Sequence, residues 1–324
     1  MRLFTKNELD TFERLAQLPQ SALMKTMAAY MKNRYKNVTV TDQYICAHGD
    51  IPVALVAHLD TVFAAPPADI YYDTNKNVLW SPDGLGADDR AGLFAILQIL
   101  KTGLRPHVIL TTDEEKGAIG ASALAQSGEC PFKDLRFVIQ LDRRGSDDCV
   151  FYDCDNPEFT KYIENFGFVE NWGSFSDISV ICPTWGVAGV NLSVGYYDEH
   201  SVSETLHAGA LFNTIKKVVK ILSTPKKEIP SFKYIKRKYY YNTKKIQYPP
   251  TGSASVFGAQ CDGCRLFFDE VEMFSVYEGG GHYASYCADC IVNMGDWCVK
   301  CGDPFISINP HENLCVRCAR EDSV

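Results

Sequence analysis

Apolar residues recur at helical spacing in some stretches of residues 1–224 and form short strand-like runs in others. The spacing predicts helices over residues 5–34, 90–101, 118–126, 156–166 and 206–222. It predicts strands over residues 38–47, 51–57, 107–111, 135–141, 150–153 and 187–193, with a hairpin over 69–80. Strands that alternate with helices are typical of an α/β three-layer sandwich around a mixed, mostly parallel sheet.

Acidic and imidazole residues follow several of these apolar runs or open a helix. The five candidate ligands are His58, Asp88, Glu115, Asp142 and His200. Open α/β sheets place their ligand sites at the carboxyl ends of the strands, so such distant residues can meet there. Histidine and carboxylate ligands can hold two divalent ions, which make a hydroxide at neutral pH and polarise a carbonyl. The pattern therefore predicts a two-metal hydrolase site.

Each candidate also has a simpler explanation when it is taken alone. The His58-x-Asp60 spacing puts both side chains on one side of a strand, so Asp60 can orient a metal-binding His58. Asp88 stands at a glycine-flanked helix start, where aspartate often caps the helix. Glu114 and Glu115 could lie in a solvated loop, although adjacent carboxylates favour a nearby cation, with one as ligand and the other as general base. All five candidate ligands occur together in a fixed order, mostly at strand ends, and this combination favours a metal site over five unrelated explanations.

Four segments carry a family resemblance: His58–Val62, Gly84–Gly92, Thr111–Gly120 and His200–Glu204. They resemble the motifs of the co-catalytic zinc exopeptidases, which include peptidase T, aminoacylase-like enzymes and bacterial leucyl aminopeptidases. The resemblance covers roughly residues 40–222. It implies a dinuclear site that cleaves amide bonds with a metal-bridging hydroxide.

The resemblance also implies a role for each matching residue. His58 and Asp142 would bind one metal ion, Glu115 and His200 the other, and Asp88 would bridge the two. Asp60 would orient His58, and Glu114 would be the general base that later protonates the leaving amine. Zinc suits these ligands, with manganese or cobalt as alternatives.

The chain departs from the peptidase T pattern in one respect. Those relatives carry a lid domain of roughly a hundred residues, whereas only 57 residues separate Asp142 from His200 here. Substrate contacts supplied by the lid, including a histidine for the oxyanion, are therefore expected to be missing. Residues beside the ligands could contact substrate instead, namely Arg90, Arg143, Arg144, Tyr196 and Tyr197. Candidates for holding a free amine are Asp113, Asp198 and Glu199.

Eight of the 13 cysteines lie near the C-terminus and form four Cys-x-x-Cys pairs. The pairs are Cys261 with Cys264, Cys287 with Cys290, Cys298 with Cys301, and Cys315 with Cys318. Eight thiolates suffice for two tetrahedral structural zinc sites, which would supply most of the folding energy of so small a module. Sequential pairing would make two zinc ribbons, and cross-braced pairing of alternate pairs is also open.

The composition predicts three regions. Residues 1–224 would form the hydrolase domain, residues 225–258 a linker, and residues 259–324 a zinc-ribbon-like module. The linker holds eight basic residues and one acidic residue, with tyrosines between them, which would suit nucleic acid. The module has 11 acidic and four basic residues, which would repel phosphate, so a protein partner is the better expectation.

The net charge of −8 argues against a protein built mainly to coat nucleic acid. No apolar run approaches the roughly 20 residues that cross a bilayer, and the N-terminus lacks a signal-peptide core. A cytoplasmic protein that does not bind membranes is therefore expected.

The expected function is a two-metal amide hydrolase, as an aminopeptidase or dipeptidase. An N-acyl amino acid deacylase would use the same site. Two other hypotheses involve the cysteine module: a catalytically idle domain that carries a zinc-ribbon adaptor for protein or nucleic acid, and a processing enzyme whose ribbon recruits its substrate.

Overall fold

The computed structural model describes residues 3–237 and six short strands beyond them. It divides the chain into two compact units, residues 1–241 and 242–324. No helix among the described residues has the length and apolar character to span a membrane. The helices of the first unit are α1 Lys6–Ala16, α2 Gln20–Lys32, α3 Ala87–Lys101, α4 Ile119–Gln126, α5 Pro157–Glu164, α6 Asp177–Trp185 and α7 Ala208–Leu222.

Eight strands of the first unit form one mixed sheet. They are β1 Val38–Val40, β2 Tyr44–Ala47, β3 Ile51–His58, β6 Pro106–Thr111, β7 Phe137–Arg143, β8 Asp148–Val150, β9 Val169–Glu170 and β10 Gly189–Ser193. The order is β1-β2-β6-β3-β7-β10-β8-β9, and the central strands β6, β3, β7 and β10 are parallel. The predicted α/β sandwich around a mostly parallel sheet is therefore confirmed.

A smaller antiparallel sheet has the order β11-β12-β5-β4. Its strands are β4 Tyr71–Asp73, β5 Val78–Trp80, β11 Tyr196–Tyr197 and β12 Thr205–His207. The pair β4–β5 is the hairpin predicted over residues 69–80. Because β11 and β12 flank the His200 loop, this sheet anchors that loop at both ends.

Both faces of the main sheet are covered by helices. Along β3, Val53, Leu55 and Ala57 belong to the core on one face, while Ala54 and Val56 belong to the core on the other. Helix α3 is buried almost throughout, as its all-round apolar sequence predicts. A side chain at Gly92 would collide with the carbonyl of Leu141, so glycine there lets α3 approach β7 closely. This packing fixes the start of α3 over the carboxyl ends of the strands.

Two predicted elements are divided in the structure. The helix expected over residues 5–34 is two helices, because Pro19 disfavours helical backbone at the preceding residue and instead begins α2. The strand expected over residues 38–47 is a hairpin, because the Thr41 hydroxyl accepts the N–H of Tyr44 and holds a turn between β1 and β2. Both changes leave the strand ends near the candidate site in place.

The first unit extends past the domain boundary expected at residue 224. Ile229 and Phe232 are buried in its core, and Lys233 and Lys236 form isolated β-bridges with Val187 and Cys154. Residues 225–237 therefore run along the domain instead of beginning a free linker. The basic composition of this segment suggested a solvated linker. Lysine, however, can lie along a domain surface with its charge in water, so the segment can pack through its two apolar residues.

The second unit contains three antiparallel strand pairs among its described residues. The strands are β13 Ala259–Gln260, β14 Phe267–Phe268, β15 Met273–Gly279, β16 His282–Cys287, β17 Asp296–Trp297 and β18 Pro304–Phe305. They pair as β13 with β14, β15 with β16 and β17 with β18.

The predicted zinc ligands of this unit fall almost entirely outside the described residues. Cys287 is described only as the last residue of β16. The other seven predicted ligands lie outside the part of the chain that the structure describes, namely Cys261, Cys264, Cys290, Cys298, Cys301, Cys315 and Cys318. The zinc-ribbon-like module and its two structural zinc ions therefore stay a prediction.

Candidate metal centre

The five predicted ligands converge at the carboxyl edge of the main sheet. His58 ends β3, Asp142 lies near the end of β7, and Asp88 lies at the start of α3. Glu115 follows β6, and His200 lies in the loop between β11 and β12. The sequence thus brings together residues that are up to 142 positions apart, because parallel strands end at the same edge of the sheet.

Asp88 lies between two groups of ligand atoms. The His58 Nε2 atom is 3.0 Å from one carboxylate oxygen of Asp88 and 3.6 Å from Asp142 Oδ1. On the other side, His200 Nε2 is 3.2 Å from the second oxygen of Asp88 and 3.0 Å from Glu115 Oε1. Two triads of ligand atoms, each within 4.8 Å, share Asp88: His58–Asp88–Asp142 and Asp88–Glu115–His200.

The neighbouring Asp89 performs the helix-capping function that the sequence also permitted for Asp88. Its carboxylate accepts the N–H groups of Gly92 and His58, at 2.8 and 3.2 Å. Asp88 and Asp89 have non-helical backbone, and Gly86 before them is left-handed. The side chain of Asp89 therefore serves the cap, whereas the carboxylate of Asp88 lies beside His58 and His200.

Asp60 positions both His58 and the Glu114–Glu115 pair. Its carboxylate lies 3.2 Å from Nδ1 of His58 and accepts the backbone N–H groups of Glu114 and Glu115 at 3.0 and 3.1 Å. The orientation of His58 by Asp60 was expected from the His-x-Asp spacing. The link to the glutamates joins the ends of β3 and β6 through one buried side chain.

Burial and negative charge crowd the carboxylates of this site. Burial, together with Asp142 and the other nearby acids, raises the pKa of Glu114 to about 9. Burial and the charge of Asp88 raise the pKa of Asp142 to about 7. The hydrogen bonds to Asp88 and Glu115 raise the pKa of His200 to about 11. Protons thus compensate the acidic cluster, and a bound cation would replace them.

The donor set fits divalent metal ions. Imidazole and carboxylate ligands are those that zinc prefers, and each triad leaves room for further ligands. Among the described residues, the only cationic groups within ion-pair distance of Asp88, Glu115 or Asp142 are the two histidines, His58 and His200. An uncompensated buried carboxylate is costly unless a cation or proton joins it.

Several residues hold the carboxylate of Asp142 in place, a role that the sequence did not predict for any of them. Tyr196 donates to one oxygen of Asp142 at 3.0 Å, and Gln140 and Ser176 donate to the other at 3.0 Å each. Asn191 accepts the N–H of Asp142 at 2.9 Å. These bonds fix the carboxylate in orientation, as outer-shell partners of metal ligands commonly do. Their residue types are too common in sequences to reveal this role.

The other missed residue is Glu204, which is almost fully buried. Its two carboxylate oxygens accept the N–H groups of Ala87 and Asp88, each at 3.0 Å. Burial raises its pKa to about 7, against the lowering effect of these backbone bonds. Glu204 is the last residue of the loop that contains His200, and through these bonds it holds the backbone of Asp88 in position.

We predict that Glu204→Gln lowers the free energy of unfolding by about 1–3 kcal/mol, because its NH2 group would face a backbone N–H without an acceptor. Chemical denaturation of the full chain measures this change. Glu164→Gln, at an exposed position of α5, is the matched control. Equal stability of the two variants would contradict the proposed positioning of Asp88.

The site opens into a cleft of about 330 Å3. Arg143, Arg144, Tyr196 and Glu199 line it beside the ligands, together with Glu114, Tyr152, Phe175 and Asn191. Two expected substrate contacts lie elsewhere. Arg90 is buried and donates to the carbonyls of Leu15, Leu18 and Leu59, so it ties α1 to the end of β3. Tyr197 packs against the ring of His207.

Residues 39–167 match the family model of peptidase family M28. This match supports the resemblance of the first unit to the co-catalytic zinc exopeptidases. No curated protein matches the chain in sequence. The fold of the first unit is shared with solved structures of peptidases. Aminopeptidase PepT of Bacillus cereus is 15% identical, with a TM-score of 0.55, and the match covers 68% of this chain and 98% of that one.

Two further structures have the same fold. A tripeptidase of Staphylococcus aureus is 16% identical with a TM-score of 0.55, and the match covers 68% of this chain and 98% of that one. A TET aminopeptidase from a marine sediment Thaumarchaeota archaeon is 13% identical with a TM-score of 0.53, and the match covers 68% of this chain and 97% of that one. The family match and this fold support a metallopeptidase, in agreement with the resemblance found in the sequence.

The absence of a separate lid between Asp142 and His200 agrees with the short spacing. Residues 143–199 are all described, and they form strands β8 to β11 and helices α5 and α6 of the first unit. The cleft is therefore lined by loops of the domain itself.

Proposed function

We propose that this protein is an aminopeptidase or dipeptidase with two catalytic metal ions. The observation that carries the proposal is the pair of ligand triads that share Asp88. One ion would be held by His58, Asp88 and Asp142, and the other by Asp88, Glu115 and His200. Two ions in such a site polarise the scissile carbonyl and make water more acidic.

Glu114 is the proposed proton carrier. It lines the cleft beside the ligands, and its backbone N–H is fixed by Asp60 at 3.0 Å. Its carboxylate takes the proton of the attacking water and delivers it to the nitrogen of the leaving amine. A general base needs such a position within reach of the water, and Glu115 is occupied by His200 at 3.0 Å.

The cleft volume supports a small substrate. About 330 Å3 lies at the lower end of the range for small-molecule pockets, so one or two residues would fill it. Of the three acids expected to hold a free amine, Glu199 lines the cleft and pairs with Arg144 through one oxygen at 3.2 Å, whereas Asp113 pairs with Lys116 at 2.8 Å and does not line the cleft. A carboxylate oxygen of Glu199 is buried without a hydrogen-bond partner among the described residues. Glu199 is thus the proposed ligand of the substrate amine.

A peptide assay with metal removal tests the proposal. Full-length protein should hydrolyse a dipeptide such as Leu-Gly, lose this activity after treatment with a chelator, and regain it when zinc, manganese or cobalt is added. N-acetyl-leucine and N-acetyl-Leu-Gly distinguish a deacylase from a peptidase that needs a free amine. No hydrolysis of any of these substrates with any of the metals would contradict the proposal and favour a catalytically idle domain.

A further inference from the structure

Arg143 is a cationic side chain in the metal cleft that lacks an anionic partner among the described residues. One of its terminal nitrogens donates to the carbonyl of Trp172 at 3.0 Å. Its Nε atom is buried and has no hydrogen-bond partner in that part of the chain. No carboxylate there lies within ion-pair distance of its guanidinium. A buried donor in a ligand cleft commonly marks the position of a ligand acceptor, since leaving it unpaired is costly.

The neighbouring Arg144 differs in both respects. Its guanidinium forms an ion pair with Glu199 at 3.2 Å, and 59% of its side chain is exposed. Its charge is therefore compensated within the protein. Of the two arginines in the cleft, Arg143 is the one with unused hydrogen-bonding capacity.

A β-bulge aims Arg143 into the cleft. Consecutive residues of a regular strand point to opposite faces of the sheet, so Asp142 and Arg143 would normally diverge. The parallel pairing of β7 with β10 shifts register here, because Gln140 pairs with Asn191 but Arg143 pairs with Ser193. This extra residue in β7 lets Asp142 and Arg143 line the same cleft. Bulges near active sites commonly redirect a side chain in this way.

A carboxylate is the ligand group that best matches these features. Guanidinium binds carboxylate through two parallel N–H···O bonds, stays charged at all relevant pH values, and keeps its strength in a site shielded from water. The substrate carbonyl would lie at the proposed metal ions, one residue from Arg143 along β7. A carboxylate near the scissile bond is the free C-terminus of a dipeptide.

We propose that Arg143 binds the C-terminal carboxylate of the substrate and thereby selects dipeptides with a free C-terminus. This inference rests on the proposed peptidase function and specifies its substrate class. Glu199 would receive the amine at one end of the dipeptide, and Arg143 the carboxylate at the other. Longer peptides and C-terminally blocked peptides would lack the second contact.

The test compares kcat/KM for Leu-Gly and Leu-Gly-amide in the full-length, metal-loaded protein. A charged hydrogen bond of this kind is expected to favour the free acid by about 10- to 100-fold. Arg143→Met should remove this preference by lowering kcat/KM for Leu-Gly, with a change of less than about threefold for the amide. Arg143→Lys should keep part of the preference, because lysine retains the positive charge but cannot form the two parallel N–H···O bonds of a guanidinium. Arg144→Met should retain the preference.

Several outcomes would overturn the inference without touching the proposed function. Equal hydrolysis of acid and amide by the unmodified protein would show that no carboxylate contact exists, and this comparison needs no variant. An equal fall in kcat/KM for both substrates in Arg143→Met would indicate that Arg143 only holds the backbone at Trp172. A preference for Leu-Asp-amide over Leu-Gly would move the contact to an acidic side chain. Only the absence of any hydrolysis would implicate the peptidase function itself.

Discussion

Replacing Glu114 by glutamine is expected to lower kcat by about 10²- to 10⁴-fold, the usual contribution of a general base. The amide keeps the shape of the side chain but cannot accept the proton of the attacking water. Glu114 also lies within 4.8 Å of ligand atoms of His58 and Glu115, but its replacement leaves both triads that share Asp88 intact, so the metal content should be unchanged. Steady-state kinetics on Leu-Gly and elemental analysis of the same sample measure both quantities.

Asp113→Asn is the matched control for this variant. Asp113 is the adjacent acid, has a left-handed backbone that asparagine tolerates, and pairs with Lys116 at 2.8 Å outside the cleft. The control should retain kcat within about threefold, as expected for a change at a surface ion pair. A Glu114→Gln variant as active as the control would remove Glu114 from the role of general base.

Replacing Asp88 by asparagine is expected to abolish activity together with metal binding. An amide has only one good acceptor oxygen, whereas Asp88 presents one oxygen to His58 and the other to His200. We expect the metal content to fall by about one to two equivalents per chain relative to the unmodified protein, because the two proposed sites share this ligand. Elemental analysis of the full chain measures the difference, and zinc in the cysteine module would cancel in it.

Asp83→Asn provides a control in the turn that precedes α3. Asp83 accepts the N–H of Ala68 at 3.2 Å, a bond that asparagine can also accept, and it contacts none of the ligands. Its metal content and activity should match those of the unmodified protein. If Asp88→Asn bound as much metal as Asp83→Asn, the proposed bridge would be wrong.

The parallel core and the convergence of the ligands could be predicted because each depends on a local pattern. An apolar run followed by a polar residue identifies the carboxyl end of a buried strand, as at His58 and Asp142. The topology of such sheets then brings the ends together, whatever the distance along the chain. The apolar character of α3 on all sides likewise required burial, which the structure confirms.

Features that depend on single long-range contacts could not be predicted. The role of Glu204 arises from bonds to residues 116 and 117 positions away, and no local pattern announces them. Helix α6 is short and contains Pro183 near its end, so its sequence resembles a loop. The basic stretch after residue 224 gives no local sign that Ile229 and Phe232 are buried, because their burial depends on packing against distant parts of the domain. Long-range packing overrides the local signal in each case.

The most direct measurement is an anomalous difference map, recorded at the zinc edge, from crystals of the full chain grown with zinc. We predict two peaks roughly 3.5–4 Å apart, as in other two-metal sites. One should lie against His58 and Asp142, the other against Glu115 and His200, with Asp88 between them. An empty cluster in crystals of protein that hydrolyses dipeptides, or a single peak that does not contact Asp88, would contradict the proposed two-metal mechanism.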